Sequence, residues 1–117
     1  PTGKLVGEVL QQQLAQNLGL NVTVESPEDG RVFISNVYDG KYQFIFYIWY
    51  TDYPDPSNHY TAMYYGPPAR RRFAWKSAEF DQLVDAAAGE QDKAKRAALY
   101  IDAERVLLRE AAYIPLY

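Results

Sequence analysis

Asp52 is the residue around which chemistry is most readily built. It lies in the stretch FIFYIWYTDYPDPSNHY, residues 44–60, closely preceded by Trp49 and Tyr50 and immediately followed by Tyr53. A carboxylate with aromatic walls suits an organic cation. The desolvated pair gains a charge-assisted hydrogen bond, and the ring faces add cation–π attraction. Aspartate is also a common turn residue that bonds its own backbone, and the residues alone leave both readings open. Trp49 and Tyr50 are adjacent, so on an extended segment they point to opposite faces. One can pack inside while the other meets a ligand, or both can be core aromatics. Trp49, Tyr50, Asp52 and Tyr53 are the candidate ligand-binding residues.

The neighbouring polar residues read differently. Asp55 followed by Pro56 is a helix start, with aspartate as the N-cap and proline at the first helical position. Pro54 holds Tyr53 in an extended conformation. Asp52, Asp55, Asn58 and His59 match no calcium-loop spacing, and His59 is the only histidine, which excludes a histidine-based zinc site within the chain. His59 is expected to face solvent on a short helix; no metal and no cofactor is expected. Arg70, Arg71 and Arg72 form a short basic run that suits a solvated loop, a bidentate contact to a ligand carboxylate or a contact with another part of the protein. A hydrolase using Asp52 with Asp55 lacks a nucleophile–base pair, and neither a glycine-rich phosphate loop nor a G-x-S-x-G motif occurs. No catalytic residue is assigned, and no enzymatic activity is expected.

These residues need elements to hold them. The chain has 117 residues, 48% hydrophobic and 23% charged, which is the composition of one ordinary globular domain. A net charge of -3 gives no field to recruit nucleic acid. Cysteine is absent, so disulfide frameworks and thiolate metal sites are excluded. Tyrosine is over-used, with eleven in all. The chain opens Pro-Thr-Gly, and a segment of a longer protein is expected.

Val6, Leu10, Leu14 and Leu18 recur every four residues and predict a first helix that Gly19 ends in the left-handed region. LNVTVE alternates and predicts a strand. Residues 28–38 fit either a strand between two Asp-Gly turns or a helix with Phe33, Ile34, Val37 and Tyr38 on one face; the helical spacing is preferred. QFIFYIWY predicts a strand in the middle of a sheet covered by helices. A short helix from Pro56 follows, then one capped by Ser77 and ending near Gly89. The longest is capped by Asp92 and carries Tyr100, Ala103, Leu107 and Ala111 on one stripe. YIPLY looks extended. The expected class is α/β, a small sheet flanked by helices in a single domain over residues 1–117.

The order of landmarks carries a family resemblance. A helix ending in LGLNVTVE, a DGKYQF strand entry, WYTDYPDP, SAEFDQLVDAA and AKRAALYIDAERVLLREAAYIPLY follow one another over essentially the whole chain. This resembles the C-terminal lobe of the extracytoplasmic solute-binding proteins of ABC transporters, in the oligopeptide- and dipeptide-binding family, family 5. The resemblance implies part of a periplasmic-binding-protein type II lobe, a fragment of a two-lobed clamp that captures a peptide or other small solute. A membrane permease of the ABC type would receive it. It further implies that the missing N-terminal lobe closes the cleft, that a strand precedes the first helix, and that the chain continues past IPLY. An exported, periplasmic or extracellular, membrane-associated protein is expected, with no nucleic-acid partner. In peptide-binding members the aspartate of the W-x-x-D-Y pattern, matching Asp52, holds the ligand's α-ammonium, and Trp49 is favoured as a cleft wall. The other reading is a stand-alone tyrosine-rich carbohydrate- or protein-binding module.

Overall fold

The computed structural model describes residues 2–67 and 73–116 and contains helices α1 (Thr2–Leu18), α2 (Gly30–Tyr38), α3 (Pro56–Met63), α4 (Ala78–Gly89) and α5 (Lys93–Arg109). The chain forms two compact units, Pro1–Trp49 and Tyr50–Tyr117. Arg70, Arg71 and Arg72 lie outside the described residues.

The expected α/β class is overturned. Among the described residues there is no strand and no sheet. LNVTVE and QFIFYIWY are non-helical, as anticipated, but a strand exists only through a ladder with a neighbour some 4.8 Å away. Here Val24 and Phe46 of these runs rest on α1 instead. In the first unit Val24 packs against Gly7 of α1, so closely that a Cβ there would meet Val24 Cγ1 at 3.0 Å. Phe46 approaches Gly3, and the Gln11 side chain donates to the Val22 carbonyl. Phe44 and Ile48, expected inside a sheet, are exposed.

The same unit builds its helix ends locally. Gly19 takes a φ of 67°, and its N–H donates to the Ala15 carbonyl at 3.1 Å, the five-to-one bond of an αL cap. Residues 30–38 form a helix. Asp29 caps it by accepting from Arg31 N–H at 2.8 Å, and Gly40, at φ 66°, follows its end. Phe33 of α2 stacks on Tyr42 at 6.0 Å between ring centroids, and Asn36 Nδ2 donates to the Tyr42 hydroxyl at 2.9 Å.

The second unit holds the core. Phe80, Val84 and Ala87 of α4 face Tyr100, Ala103, Val106 and Leu107 of α5, and all are buried. Ala87 and Ala103 are wholly inaccessible, and such small side chains permit close packing between helices. Tyr60, Met63 and Tyr64 at the end of α3 complete the cluster. Phe80 receives the edges or faces of Tyr60, Tyr64 and Trp75, with centroids 5.3 to 6.3 Å away. The expected α5 stripe is partly right: Ala111 is exposed at φ 52°, and Val106 takes a core place. Each helix starts where its cap was expected. Asp55 accepts from Ser57 N–H at 2.9 Å, Ser77 Oγ from Phe80 N–H at 3.4 Å, and Asp92 from Ala94 and Lys95 N–H at 2.9 Å.

Candidate functional site

The loop between Tyr50 and α3 is tight. Asp55 N–H donates to the Tyr53 carbonyl at 2.9 Å, closing a three-residue turn around Pro54. Tyr53 is exposed, its hydroxyl 3.2 Å from Ser57 Oγ. Tyr50 is 82% exposed. Trp49, the last residue of the first unit, is half-buried with its ring 6.4 Å from that of Tyr47. Asp52, Tyr53 and Ser57 thus share one turn-and-helix start.

The two aspartates of the loop have different surroundings. Asp55 is met by a residue forty-one positions away. Arg96 donates Nη1 to Oδ2 and Nη2 to Oδ1, both at 2.8 Å, a bidentate pair at roughly 30% side-chain exposure on each partner. Arg96 also reaches the Tyr100 hydroxyl at 3.2 Å and lies 4.9 Å from that ring's centroid. Its guanidinium, then the bonds from Ser57, hold the Asp55 carboxyl well below the usual carboxylate range. Asp55 is a structural residue, as its cap position predicts.

Asp52 keeps an exposed side chain. Its partner is Asn58, whose Oδ1 accepts from Asp52 N–H at 3.2 Å and whose Nδ2 donates to Asp52 Oδ2 at 3.3 Å. Among the described residues Asp52 Oδ1 accepts no hydrogen bond and no cation pairs with the carboxylate. One carboxylate of the loop is paired with a guanidinium, and the other has an open oxygen and, among the described residues, no cationic partner.

His59 is not the solvent-facing residue expected on this helix. It is half-buried, with Tyr60, Tyr64 and Tyr113 edge-on at 5.5, 5.7 and 6.0 Å. Burial lowers its pKa, against an opposing pull from Glu104. Burial likewise pushes Tyr60 and Tyr64 up to about 12, so both stay neutral phenols across the physiological range. Tyr113 donates to Glu104 Oε1 at 2.6 Å. Among the described residues no group of histidine, cysteine, aspartate and glutamate side chains is arranged to hold a metal ion.

Sequence reasoning missed the roles of Asn58 and Arg96. A signal for Asn58 existed: it stands at the third helical position after the Asp55 cap, where a side chain reaches back over the preceding loop. Arg96 carried none, because its pairing with Asp55 spans most of the second unit.

Residues 1–70, which include the whole Trp49–Tyr53 segment, match the bacterial extracellular solute-binding proteins, family 5 Middle. The chain belongs to this family. Among its relatives is the dipeptide-binding protein DppE of Bacillus subtilis, 34% identical over 117 residues, all of this chain and 21% of that protein. The oligopeptide-binding protein OppA of the same organism is 28% identical over 112 residues, 96% of this chain and 20% of that protein. A di/tripeptide-binding protein of Pseudomonas aeruginosa is 29% identical over 119 residues, 99% of this chain and 22% of that protein. This family 5 chain therefore spans about a fifth of the length of the curated relatives it matches. No helix of its described residues is long and apolar enough to cross a membrane.

Proposed function

We propose that this family 5 chain supplies one wall of the ligand cleft of a two-lobed solute receptor that captures a peptide and passes it to an ABC permease. Asp52 takes the peptide's α-ammonium, with Trp49, Tyr50 and Tyr53 as its aromatic surroundings. The observation that carries this reading is the contrast between the two loop carboxylates. Asp55 has both oxygens bound by Arg96, whereas Asp52 stands exposed with Oδ1 open. The relatives named for dipeptides and oligopeptides support a peptide as the solute.

Magnitude explains why the facing lobe is required. An exposed ion pair contributes about 0–1 kcal/mol, whereas a millimolar Kd already needs about 4 kcal/mol. Residues 1–117 alone should bind peptides negligibly. The second lobe would remove water from Asp52 and raise the contribution of its charged hydrogen bond to about 1.5–3 kcal/mol.

The test is calorimetry on the full-length receptor with Ala-Ala and Ala-Ala-Ala. Asp52→Asn should weaken binding about 10- to 100-fold, the equivalent of that contribution. Asp55→Asn should change affinity far less. N-acetyl-Ala-Ala, which has no ammonium, should bind weakly to the parent and no more weakly to Asp52→Asn. Equal losses from the two aspartate variants, at unchanged stability, would refute the assignment.

A further inference from the structure

Among the described residues, Asn58 is the buried polar side chain, only 5% exposed at the start of α3. A buried amide needs partners, because leaving it unpaired costs its full desolvation. Asn58 directs both ends of its amide at Asp52, one to the main chain and one to the carboxylate. The orientation is chemically forced: the reverse would set N–H against N–H and oxygen against oxygen. Two bonds from one planar group hold the Asp52 backbone and its carboxylate together.

We propose that Asn58 is a positioning residue for ligand capture, clamping Asp52 through its amide N–H and Oδ2 so that Oδ1 is presented to a ligand ammonium. This rests on the reading of Asp52 as the ammonium anchor. The choice of an amide has a physical logic that Arg96 makes visible. A cation at position 58 would neutralise Asp52 as Arg96 neutralises Asp55, and would compete with the ligand. A carboxylate there would repel Asp52. A neutral donor orients the charge without cancelling it.

The measurement is Ala-Ala binding to the full-length receptor and its Asn58→Leu, Asn58→Asp and Asp52→Asn variants, each with the double variant in the Asp52→Asn background. Asn58→Leu should weaken binding about tenfold and add nothing once Asp52 is replaced. Asn58→Asp covers the case in which Asn58→Leu does not fold. Two carboxylates this close share a proton, and a protonated carboxyl at position 58 restores the donor to Oδ2. The affinity of Asn58→Asp should therefore recover as pH falls from 8 to 5, by about tenfold relative to the parent's own trend, and not do so in the Asp52→Asn background.

If Asp52→Asn weakens binding while folded Asn58 variants bind like the parent at every pH, the clamp is refuted and the Asp52 reading survives. Equal losses from Asn58→Leu with and without Asp52 would also refute it, since the effect would be general to the fold. If Asp52→Asn itself binds Ala-Ala normally, or the parent does not bind it, the reading of Asp52 falls and the clamp falls with it.

Discussion

The two units of this chain differ in their internal packing. In Tyr50–Tyr117, three helices enclose aromatic and aliphatic side chains that reach zero exposure, as at Phe80, Ala87 and Leu107. In Pro1–Trp49 no described residue is buried, and Leu5, Val9, Leu18, Leu20, Val32, Phe44 and Ile48 are all substantially exposed. Both have amphipathic helices and proper caps. What differs is whether the apolar stripe meets another element along its length, and this decides how much hydrophobic stabilisation a helix contributes. Each unit also carries one of the chain's tryptophans, Trp49 in the first and Trp75 in the second. Single-tryptophan variants can therefore report the two units separately.

The sharpest way to break the comparison is to remove a phenyl ring from each unit. Phe80 is wholly buried among Tyr60, Tyr64 and Trp75, so Phe80→Ala should cost about 3–5 kcal/mol. Phe46, half-buried over Gly3, should cost about 1 kcal/mol when changed to Ala. Denaturant titration of residues 1–117, followed by Trp75 emission for the first variant and Trp49 for the second, measures both. Equal losses would mean that the first unit is as well packed as the second.

Acid should separate the units next, because His59 and the Asp55–Arg96 pair both belong to the second. His59 has a native pKa below its unfolded value of about 6.5. The unfolded chain therefore takes the proton first, and stability declines as pH falls through that range. Asp55 is also depressed, by Arg96 above all. Its contribution is complete above the unfolded carboxylate value of about 3.9, and is lost as pH falls below it through the native pKa. His59→Phe should flatten the Trp75-detected stability between pH 7 and 5. Asp55→Asn, which keeps a competent cap, should flatten only the limb below about pH 4. The windows would trade places if the two groups had been assigned the wrong roles.

What was legible before the fold follows the same division between local and distant. The caps at Asp55, Ser77 and Asp92 and the stop at Gly19 involve partners within a few residues, and each stands where its residue types placed it. The sheet did not appear because pairing is non-local. The apolar runs 20–25 and 43–50 have strand-like composition, but Val24 and Phe46 met α1 in place of a ladder. The site divides likewise. The cap role of Asp55 was readable from Pro56 beside it. Its neutralisation by Arg96, which distinguishes it from Asp52, depends on α5 returning across the unit.

A smaller effect probes the first unit at its helix end. Gly19 holds φ 67° with no atom near enough to obstruct a Cβ, so Gly19→Ala isolates backbone strain. It should lower the Trp49-detected stability by about 1 kcal/mol and leave the Trp75 transition in place. Loss in both signals would show that the units unfold as one.

The smallest expected effect is at Tyr50, where the second unit begins. A tyrosine that is 82% exposed has little packing to lose, and Tyr50→Ser should move neither tryptophan transition by more than about 0.5 kcal/mol. In the full-length receptor the same change should weaken Ala-Ala binding by about three- to tenfold, the equivalent of one lost aromatic contact. The two measurements together separate a ring kept for contact from one kept for stability. A loss of stability near that of Phe80→Ala would place Tyr50 in a core. An unchanged affinity with unchanged stability would remove Tyr50 from the ligand's surroundings while leaving the charge on Asp52 to act alone.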